Sequence, residues 1–348
     1  MRIAQVAPLY ESVPPALYGG TERVASYLTE ELVRQGHQVT LFASGDSRTR
    51  ARLVATCPRA LRLDPESTDG FAAHVLALEL VFREIDRFDV VHFHSDYTHF
   101  PLTRRWGGAS VTTLHGRLDL PALAPLYREF SDMPLVSISD AQRTPLAWAN
   151  WYGTVHHGIP PDLYTLQPAA GSYLAFLGRI SPEKRVDRAI EIARQSGMPL
   201  RIAAKVDPVD RAYFEVVIAP LLRGPGVEWI GEIGEGEKSA FLGGAHALLF
   251  PIDWPEPFGL VLAEALACGT PAIAMRRGSV PEVIDDGVTG FVVDDVAQAV
   301  AAVSRIPELA RARCREVFEQ RFSVARMARD YVTIYHQVIT RGAPRLVA

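Results

Sequence analysis

Short apolar runs alternate with amphipathic stretches along the whole chain. Near the N-terminus, the apolar run 2–7 predicts a strand, and residues 21–35 have mostly apolar positions at helical spacing. We expect Thr21 to cap this helix, because a threonine hydroxyl accepts hydrogen bonds from the free amides of a first turn. Residues 38–43 predict the next strand. A strand, a helix and a strand in this order are typical of a parallel sheet.

The alternation continues to about residue 160 and then starts again. A helical pattern covers residues 70–86. Three further strands are predicted in the first half, at 89–94, 110–114 and 135–139. Three prolines then follow within nine residues, from Pro160 to Pro168, which is typical of a linker. The sequence therefore predicts two domains of the α/β class, over residues 1–160 and 161–322.

The second half repeats the pattern and adds a terminal helix. Its predicted strands are 173–177, 200–204, 227–230, 247–250 and 271–275. Helices are predicted to begin near Pro208, Glu235 and Gly259 and to cover 294–304 and 307–320. The last helix, beginning at about Ser323, has five large apolar residues on one side: Met327, Tyr331, Ile334, Tyr335 and Val338.

Composition narrows the class of protein. The chain has 348 residues, 48% hydrophobic and 22% charged, as expected for a globular protein with two domains. A net charge of −4 argues against a nucleic-acid partner. There is no apolar run of about 18 residues and no signal-peptide pattern, so we expect a cytoplasmic protein. Three dispersed cysteines predict neither a disulfide framework nor a zinc cluster.

The most informative stretch is residues 254–271, WPEPFGLVLAEALACGTP. Gly259 is predicted to open a helix directly after a strand and a proline-stiffened loop. The free amides at such a helix start suit a phosphate group. Two carboxylates, Glu256 and Glu264, lie on either side of this turn, eight positions apart. Taken singly, each acid is equally well explained as a solvated surface residue.

Two basic residues follow the first strand of the second domain. Arg179 and Lys184 lie around the predicted strand–helix turn. Preorganised cations there would stabilise a leaving diphosphate, although surface charge explains either residue alone. A separate cluster of five arginines lies between residues 48 and 62. One hypothesis for this cluster is peripheral contact with an anionic lipid surface or with an acidic acceptor.

Histidines mark the strand ends of the first domain. His115 follows one predicted strand, and its ordinary pKa suits proton exchange or hydrogen bonding to a sugar hydroxyl. His94, Asp96 and Tyr97 follow another, where open α/β sheets bind ligands. His92 is explained as well by core packing. A metal site formed by these histidines and Asp96 is the weaker alternative, because no third His or Cys has motif spacing.

Several of these segments resemble a known family. The strings E-P-F-G-L-x-x-x-E (256–264), T-x-H-G (113–116) and G-R-x-x-x-x-K (178–184) are similar to motifs of retaining glycosyltransferases of family 4. The resemblance implies the GT-B architecture, in which two Rossmann-like domains face each other across a cleft. The first domain would receive the acceptor and the second the donor. The terminal helix, about 323–348, would pack back on the first domain.

The resemblance also implies roles for individual residues. Glu256 would orient the donor sugar and Glu264 would hold the ribose. His115 would touch the sugar near the anomeric carbon. The other implied contacts are diphosphate binding by Arg179, Lys184 and the amides of Phe258, Gly259 and Leu260, approach of the backbone at Gly19 and Gly20, and acceptor-side positions at His94, Asp96 and Tyr97. Where the family often has a glycine pair, this chain has Gly278-Ser279, whose serine could cap a helix.

The expected reaction is retaining transfer of a hexose from a UDP or GDP sugar to the hydroxyl of a sugar, glycolipid or small molecule. No Asp-x-Asp motif occurs in the chain, so we expect no metal and no cofactor other than the donor as co-substrate. Two alternatives stay open: a nucleotide-sugar epimerase or hydrolase of the same fold, and a non-catalytic nucleotide-sugar-binding protein. A NAD-dependent oxidoreductase is disfavoured, because the glycine fingerprint G-x-G-x-x-G is missing.

Overall fold

The computed structural model describes residues 1–66 and 69–341. The chain divides into two compact units. Unit 1 comprises residues 1–158 together with the described terminal helix that begins at Val324, and unit 2 comprises residues 159–323. Residues 342–348, which the predicted terminal helix included, lie outside the described residues.

A parallel seven-stranded sheet lies at the centre of unit 1, as far as this unit is described. Its strands are β1 Arg2–Val6, β2 Gln38–Ser44, β3 Arg52–Cys57, β4 Val90–Phe93, β5 Ser110–Thr113, β6 Leu135–Ser137 and β7 Trp151–Thr154. They lie in the order β3-β2-β1-β4-β5-β6-β7. Chain progression reverses between β1 and β4, where Ile3 pairs with both Val39 and Val90. In open α/β sheets, ligands bind beyond the carboxyl ends of the strands at this point.

Unit 2 has a second parallel sheet, of six strands in its described residues. Its strands are β8 Tyr173–Arg179, β9 Leu200–Lys205, β10 Val227–Gly231, β11 Ala245–Phe250, β12 Ala272–Met275 and β13 Gly290–Val293. The order is β10-β9-β8-β11-β12-β13, with the reversal between β8 and β11. Buried aliphatic residues on one side of this sheet pack against its flanking helices. The carboxyl ends of β8 and β11 are therefore the expected place for a ligand of unit 2.

Helices flank the two sheets. In chain order, those of the described residues are α1 Gly20–Arg34, α2 Gly70–Glu84, α3 Phe100–Trp106, α4 Leu123–Glu129, α5 Asp140–Arg143, α6 Val186–Ser196, α7 Arg211–Tyr213, α8 Ala219–Leu222, α9 Glu235–Gly243, α10 Leu260–Ala267, α11 Val280–Val283, α12 Val296–Arg305, α13 Arg311–Arg321 and α14 Val324–Arg341. A π-helical turn, Phe214–Ile218, joins α7 to α8.

The terminal helix α14 belongs to the core of unit 1. It packs against α1 and against β4, β5 and β7. The five large apolar residues predicted to share one side are all buried: Met327, Tyr331, Ile334, Tyr335 and Val338. The helical spacing of these residues is thereby confirmed. The side chain of Tyr335 also bonds to Gln5, so α14 supports the inner strand β1 of the sheet.

Some local predictions were wrong. Helix α1 begins at Gly20 with Gly19 at the cap position and no side-chain cap, so Thr21 lies inside the first turn. Ser181, Pro182 and Glu183 are typical of a helix start, but α6 begins only at Val186, after a 3₁₀ turn at Pro182–Lys184 and a left-handed residue. Strands β3, β7 and β13 were missed. Strand β3 begins among arginines and is mostly only part-buried, and β7 and β13 are each only four residues long.

Acidic residues from outside the arginine cluster 48–62 neutralise much of its charge. Arg50 pairs with Glu30, Arg52 with Glu84 at 2.8 Å, and Arg62 with the buried Glu11. The stretch is consequently less cationic than its sequence alone indicates. Among the described helices, none combines the length and the apolarity that a membrane span requires.

The start of α12 allows a test of local stability. The Asp295 carboxylate accepts a hydrogen bond of 2.8 Å from the amide of Gln298 and caps the helix. Asp295→Ala should lower the free energy of unfolding by about 1 kcal/mol. Asp294→Ala is the matched control, because it removes the same charge from the neighbouring residue and breaks only an exposed ion pair with Arg276. It should lower the free energy of unfolding by about a few tenths of a kcal/mol. Urea unfolding measures both. Equal losses would show that the cap contributes nothing beyond charge.

Candidate active site

A glycine shapes the turn between β11 and α10. Gly259 has a φ of 80° and occupies the cap position of α10. A side chain there would be strained, and its Cβ would lie 3.3 Å from the Phe250 ring. Next to it, Phe258 is buried and packs edge-on against Phe322, with 5.9 Å between ring centroids. The turn is thus fixed by packing, and the amino end of α10 presents backbone N–H groups at the carboxyl edge of the sheet.

Glu256 is held by two donors. The residue is only 8% exposed, and its Oε2 accepts hydrogen bonds from Lys184 Nζ at 2.5 Å and from Trp254 Nε1 at 2.9 Å. The ammonium group of Lys184 also lies over the Trp254 ring, 4.8 Å from its centroid. The structure therefore brings together two predicted site residues that are 72 positions apart in sequence. Their direct pairing was not predicted.

The loop after β12 supports the backbone of Glu256. The amide of Ser279 donates to the Glu256 carbonyl at 2.9 Å. Gly278 has a φ of 53°, and a Cβ at this position would overlap the Glu256 backbone. The expected cap by Ser279 is not formed, since its side chain makes no capping hydrogen bond to α11. Its buried Oγ has no hydrogen-bond partner among the described residues. The departure from a glycine pair thus adds a buried hydroxyl to the loop that supports Glu256.

Carboxylates surround Arg179. Its guanidinium lies 2.6 Å from Glu183, 3.6 Å from Asp207 and 4.0 Å from Asp210. Lys205, which follows β9 in the same corner, pairs with Asp207 at 2.8 Å. The predicted diphosphate-binding cation is present, but its charge is already compensated. A bound phosphate would have to compete with these acids.

Three further arginines converge on one aspartate beside the site. Asp253 lies 2.9 Å from Arg188, 3.2 Å from Arg185 and 3.4 Å from Arg277. Although partial burial opposes ionisation, these arginines keep the pKa of Asp253 below its usual value. This group carries more positive than negative charge next to Trp254. Sequence reasoning did not single it out, because its members come from three separate segments.

Glu264 is also paired. It is almost completely buried, and its Oε1 accepts a hydrogen bond of 2.8 Å from Lys238 on α9. Lys238 lies 3.2 Å from Glu235, which accepts a further hydrogen bond from Tyr164. Lys238 is thus a site residue that the sequence analysis missed. The only available signal was a lysine three positions into a predicted helix.

In unit 1, the predicted histidines belong to a buried hydrogen-bonded network. His94 bonds through Nδ1 to His115 at 2.9 Å and through Nε2 to Gln5 at 2.8 Å. The Gln5 amide donates to the hydroxyl of Tyr335, which also bonds to His92. The network thus runs from the end of β5 to helix α14. Its hydrogen bond from His94 to His115 Nε2 fixes the orientation of the His115 ring.

The metal-site alternative is not supported by this arrangement. Both ring nitrogens of His92 are engaged, with Thr113 at 2.7 Å and with Tyr335 at 2.8 Å. Among residues 1–66 and 69–341, no group of three or more His, Cys, Asp or Glu side chains has a geometry that could hold a metal ion. His92 is therefore better explained as a member of the polar core.

Burial changes the protonation of these histidines. It lowers the pKa of His92 and His94 well below the usual value and that of His115 to about 3. The ordinary pKa assumed from the sequence therefore does not apply, and hydrogen bonding by a neutral ring is the remaining role for His115. Its buried Nδ1 makes no hydrogen bond with the described residues.

A pocket of about 430 Å³ opens at the carboxyl edge of the unit 1 sheet. Its walls come from the segments after β1, β4 and β5 and from the first turns of α1 and α2. Four predicted residues line it: His94, Asp96, Tyr97 and His115. Gly19 and Gly20 directly precede two lining residues in the first turn of α1. The pocket thus lies where the strand order reverses.

Comparison with known proteins gives the family. The profile described as Glycosyltransferase Family 4 matches residues 18–167, and that described as Glycosyl transferases group 1 matches residues 167–320. The D-inositol 3-phosphate glycosyltransferase of Saccharomonospora viridis is 28% identical, and the alignment covers 95% of this chain and 92% of that protein.

Solved structures agree with this assignment. AviGT4, a glycosyltransferase involved in avilamycin A biosynthesis, matches with a TM-score of 0.73 and 25% identity over 98% of each chain. Anabaena Alr3699/HepE, solved in complex with UDP and glucose, has the same fold, with a TM-score of 0.74 and 17% identity over 97% of this chain and 100% of that one. The two family profiles follow each other along the chain, and the chain therefore belongs to the GT-B glycosyltransferases of group 1, family 4, and is a transferase.

Proposed function

We propose that the protein is a metal-independent, retaining hexosyltransferase that uses a UDP or GDP sugar and an acceptor hydroxyl. The observation that carries this proposal is the Lys184–Glu256 pair beside the amino end of α10. Lys184 and the helix amides suit a diphosphate, and Glu256 suits sugar hydroxyls. The complex of HepE with UDP and glucose supports a nucleotide-sugar donor.

Donor binding would break the hydrogen bond between Lys184 and Glu256. The diphosphate would take over the ammonium group of Lys184, since a phosphate offers more negative charge than one carboxylate. Glu256 would stay oriented by Trp254 Nε1 and would be available to the sugar hydroxyls. A hydrogen bond between charged groups is worth about 1.5–3 kcal/mol, and the greater charge of the diphosphate would make this exchange favourable.

Glu264 would hold the ribose of the nucleotide. Its carboxylate is fixed by Lys238 and can accept hydrogen bonds from two adjacent hydroxyls. The arginines around Asp253 would add positive potential where the diphosphate gains charge, and Arg179 would contribute once the diphosphate displaces its carboxylate partners. These cations, together with the absence of an Asp-x-Asp motif, support metal independence.

The transfer step conserves the anomeric configuration. The bond between the anomeric carbon and the diphosphate oxygen breaks, and the acceptor oxygen bonds to the same face of that carbon. The acceptor's proton passes to an oxygen of the leaving diphosphate. We propose that neutral His115 hydrogen-bonds a substrate hydroxyl and holds no proton in transit. Transfer to a substrate hydroxyl can be tested by NMR of the product. An inverted anomer, or epimerised donor without acceptor, would contradict this function.

Lys184→Ala should weaken UDP binding about 10- to 100-fold, because one charge-assisted hydrogen bond to the diphosphate is lost. Isothermal titration with UDP in the presence of EDTA measures this effect. Arg276→Ala is the control, since it removes a cation of unit 2 that pairs with Asp294 at an exposed position and donates to the Val292 carbonyl. Equal affinities for the two variants would remove Lys184 from the donor site.

A further inference from the structure

The pocket of unit 1 has an aromatic wall. Tyr10 is 56% exposed and Phe71 is 72% exposed, and both line the pocket. The ring of His74 lies against Tyr10, with 5.1 Å between centroids. Tyr97 adds a further exposed ring among the lining residues. Such a wall suits the apolar face of a sugar or cyclitol ring.

The remaining polar lining is acidic or neutral. Glu22, in the first turn of α1, and Asp96, after β4, are its two carboxyl groups. Burial raises the pKa of Glu22, and the nearby Glu11 adds to this effect. Asp96 is accessible from the pocket, yet the atoms crowded around its carboxyl desolvate it and raise its pKa. Neither lysine nor arginine occurs among the lining residues.

The histidines of the pocket do not supply positive charge. The Nδ1 atom of His74 bonds to the Gly70 carbonyl and its Nε2 atom to the Leu9 amide, so neither ring nitrogen is available to a ligand. Burial keeps His94 and His115 neutral, as described above.

Cations next to the pocket are already occupied by other partners. Arg62, which is close enough to favour ionisation of Glu22, pairs with the buried Glu11. Arg117, directly after the pocket residue Gly116, makes two hydrogen bonds to Asp119, at 2.6 and 2.7 Å. Neither Arg62 nor Arg117 is therefore available as a counter-charge, and an anionic group in the pocket would lie close to the carboxyl groups of Glu22 and Asp96.

We propose that this pocket selects acceptors that carry neither phosphate nor carboxylate, namely uncharged sugars or polyols with an apolar ring face against Tyr10 and Phe71. The proposal rests on the proposed function and adds the chemical class of the acceptor. It separates this enzyme from the S. viridis relative, which is named for the phosphorylated cyclitol D-inositol 3-phosphate.

Matched acceptor pairs test the selection. The full-length enzyme is given its nucleotide-sugar donor with myo-inositol or D-inositol 3-phosphate, and with glucose or glucose 6-phosphate. Binding in the presence of UDP is followed by saturation-transfer NMR and transfer by kcat/KM. The uncharged member of each pair should be favoured at least about 10-fold, because like charges placed together are strongly disfavoured. Equal or better use of the phosphorylated members, or no binding of either uncharged acceptor, would overturn the proposal.

Two variants test whether the carboxyl groups of the pocket cause this selection. Glu22→Lys should raise the kcat/KM ratio of phosphorylated to uncharged acceptor at least about 10-fold, since it replaces a carboxyl with a counter-charge. Thermal denaturation shows whether Glu22→Lys is folded. If it is not, Asp96→Asn, at a more exposed position, takes its place and should also raise this ratio. An unchanged ratio in the folded variants would overturn the proposal. If the unaltered enzyme showed neither glycosyl transfer nor donor hydrolysis, the proposed function itself would be refuted.

Discussion

Glu256→Gln is expected to lower kcat about 100- to 1000-fold while the Kd for UDP changes less than about threefold. Glutamine keeps the size of the side chain but loses the negative charge that would orient the sugar hydroxyls as the glycosidic bond breaks. Because the loss falls on the transition state, it should appear in kcat rather than in donor binding. Steady-state kinetics with a saturating acceptor, combined with titration of UDP, separates the two quantities.

Glu264→Gln is the matched control for this prediction. It is the same chemical change at the other end of the motif, on a residue also held by a lysine. Since Glu264 would hold the ribose, its loss should raise the donor KM more than it lowers kcat. Glu256→Gln also leaves Lys184 without its carboxylate partner, so thermal denaturation must show that both variants are folded. Identical kcat and KM profiles for the two variants would argue against separate roles.

The stability of unit 1 is expected to fall steeply as the pH drops below about 6.5. His99 is buried, stacks on Phe93 and has its pKa lowered by burial to about 3. His92 and His94 are also buried, and burial lowers their pKa values in the same way. Between the folded and unfolded pKa values, each unfolded histidine binds a proton that the folded one does not. The contribution is therefore fully present above about pH 6.5 and is lost by about 1.4 kcal/mol per pH unit per histidine below it.

Burial also lowers the pKa values of His115 and His157, and five such histidines give a slope of about 7 kcal/mol per pH unit. Urea unfolding followed by hydrogen exchange of unit 1 peptides measures this slope between pH 6.5 and 5.5, where most carboxylates stay ionised. His99→Gln should reduce the slope by about one fifth, whatever its effect on absolute stability. His336→Gln, at an exposed position of α14, should leave the slope unchanged. A wild-type slope near zero would show that the histidines titrate while the unit stays folded.

The fold was predictable because its main signal is local. Apolar runs and helical spacing located most strands of both sheets, and the buried side of α14 followed from five apolar positions. Among the missed strands, β3 and β13 were not predictable in this way. The first is an edge strand with two charged or polar ends, which pairing with β2 holds in place. The second is short, and its burial depends on β12.

The site was predictable in its residue types but not in its pairings. Motif spacing indicated Lys184 and Glu256 as separate groups, whereas their hydrogen bond depends on how β8 and β11 are placed side by side. Lys238 was missed for the same reason, since its partner Glu264 lies on another helix. The depressed pKa values of the histidines require knowledge of burial, which a single sequence does not supply.

The hydrogen bond between Lys184 and Glu256 also constrains how these two positions can change in evolution. With side chains only 15% and 10% exposed, neither group can turn fully to water when the other is lost. Removing one member of such a pair costs about 3–5 kcal/mol, whereas replacing both together can be nearly neutral for folding. The two positions should accordingly change in concert: a descendant that abandons glycosyl transfer would discard both charges, and one that keeps a single member would be rare.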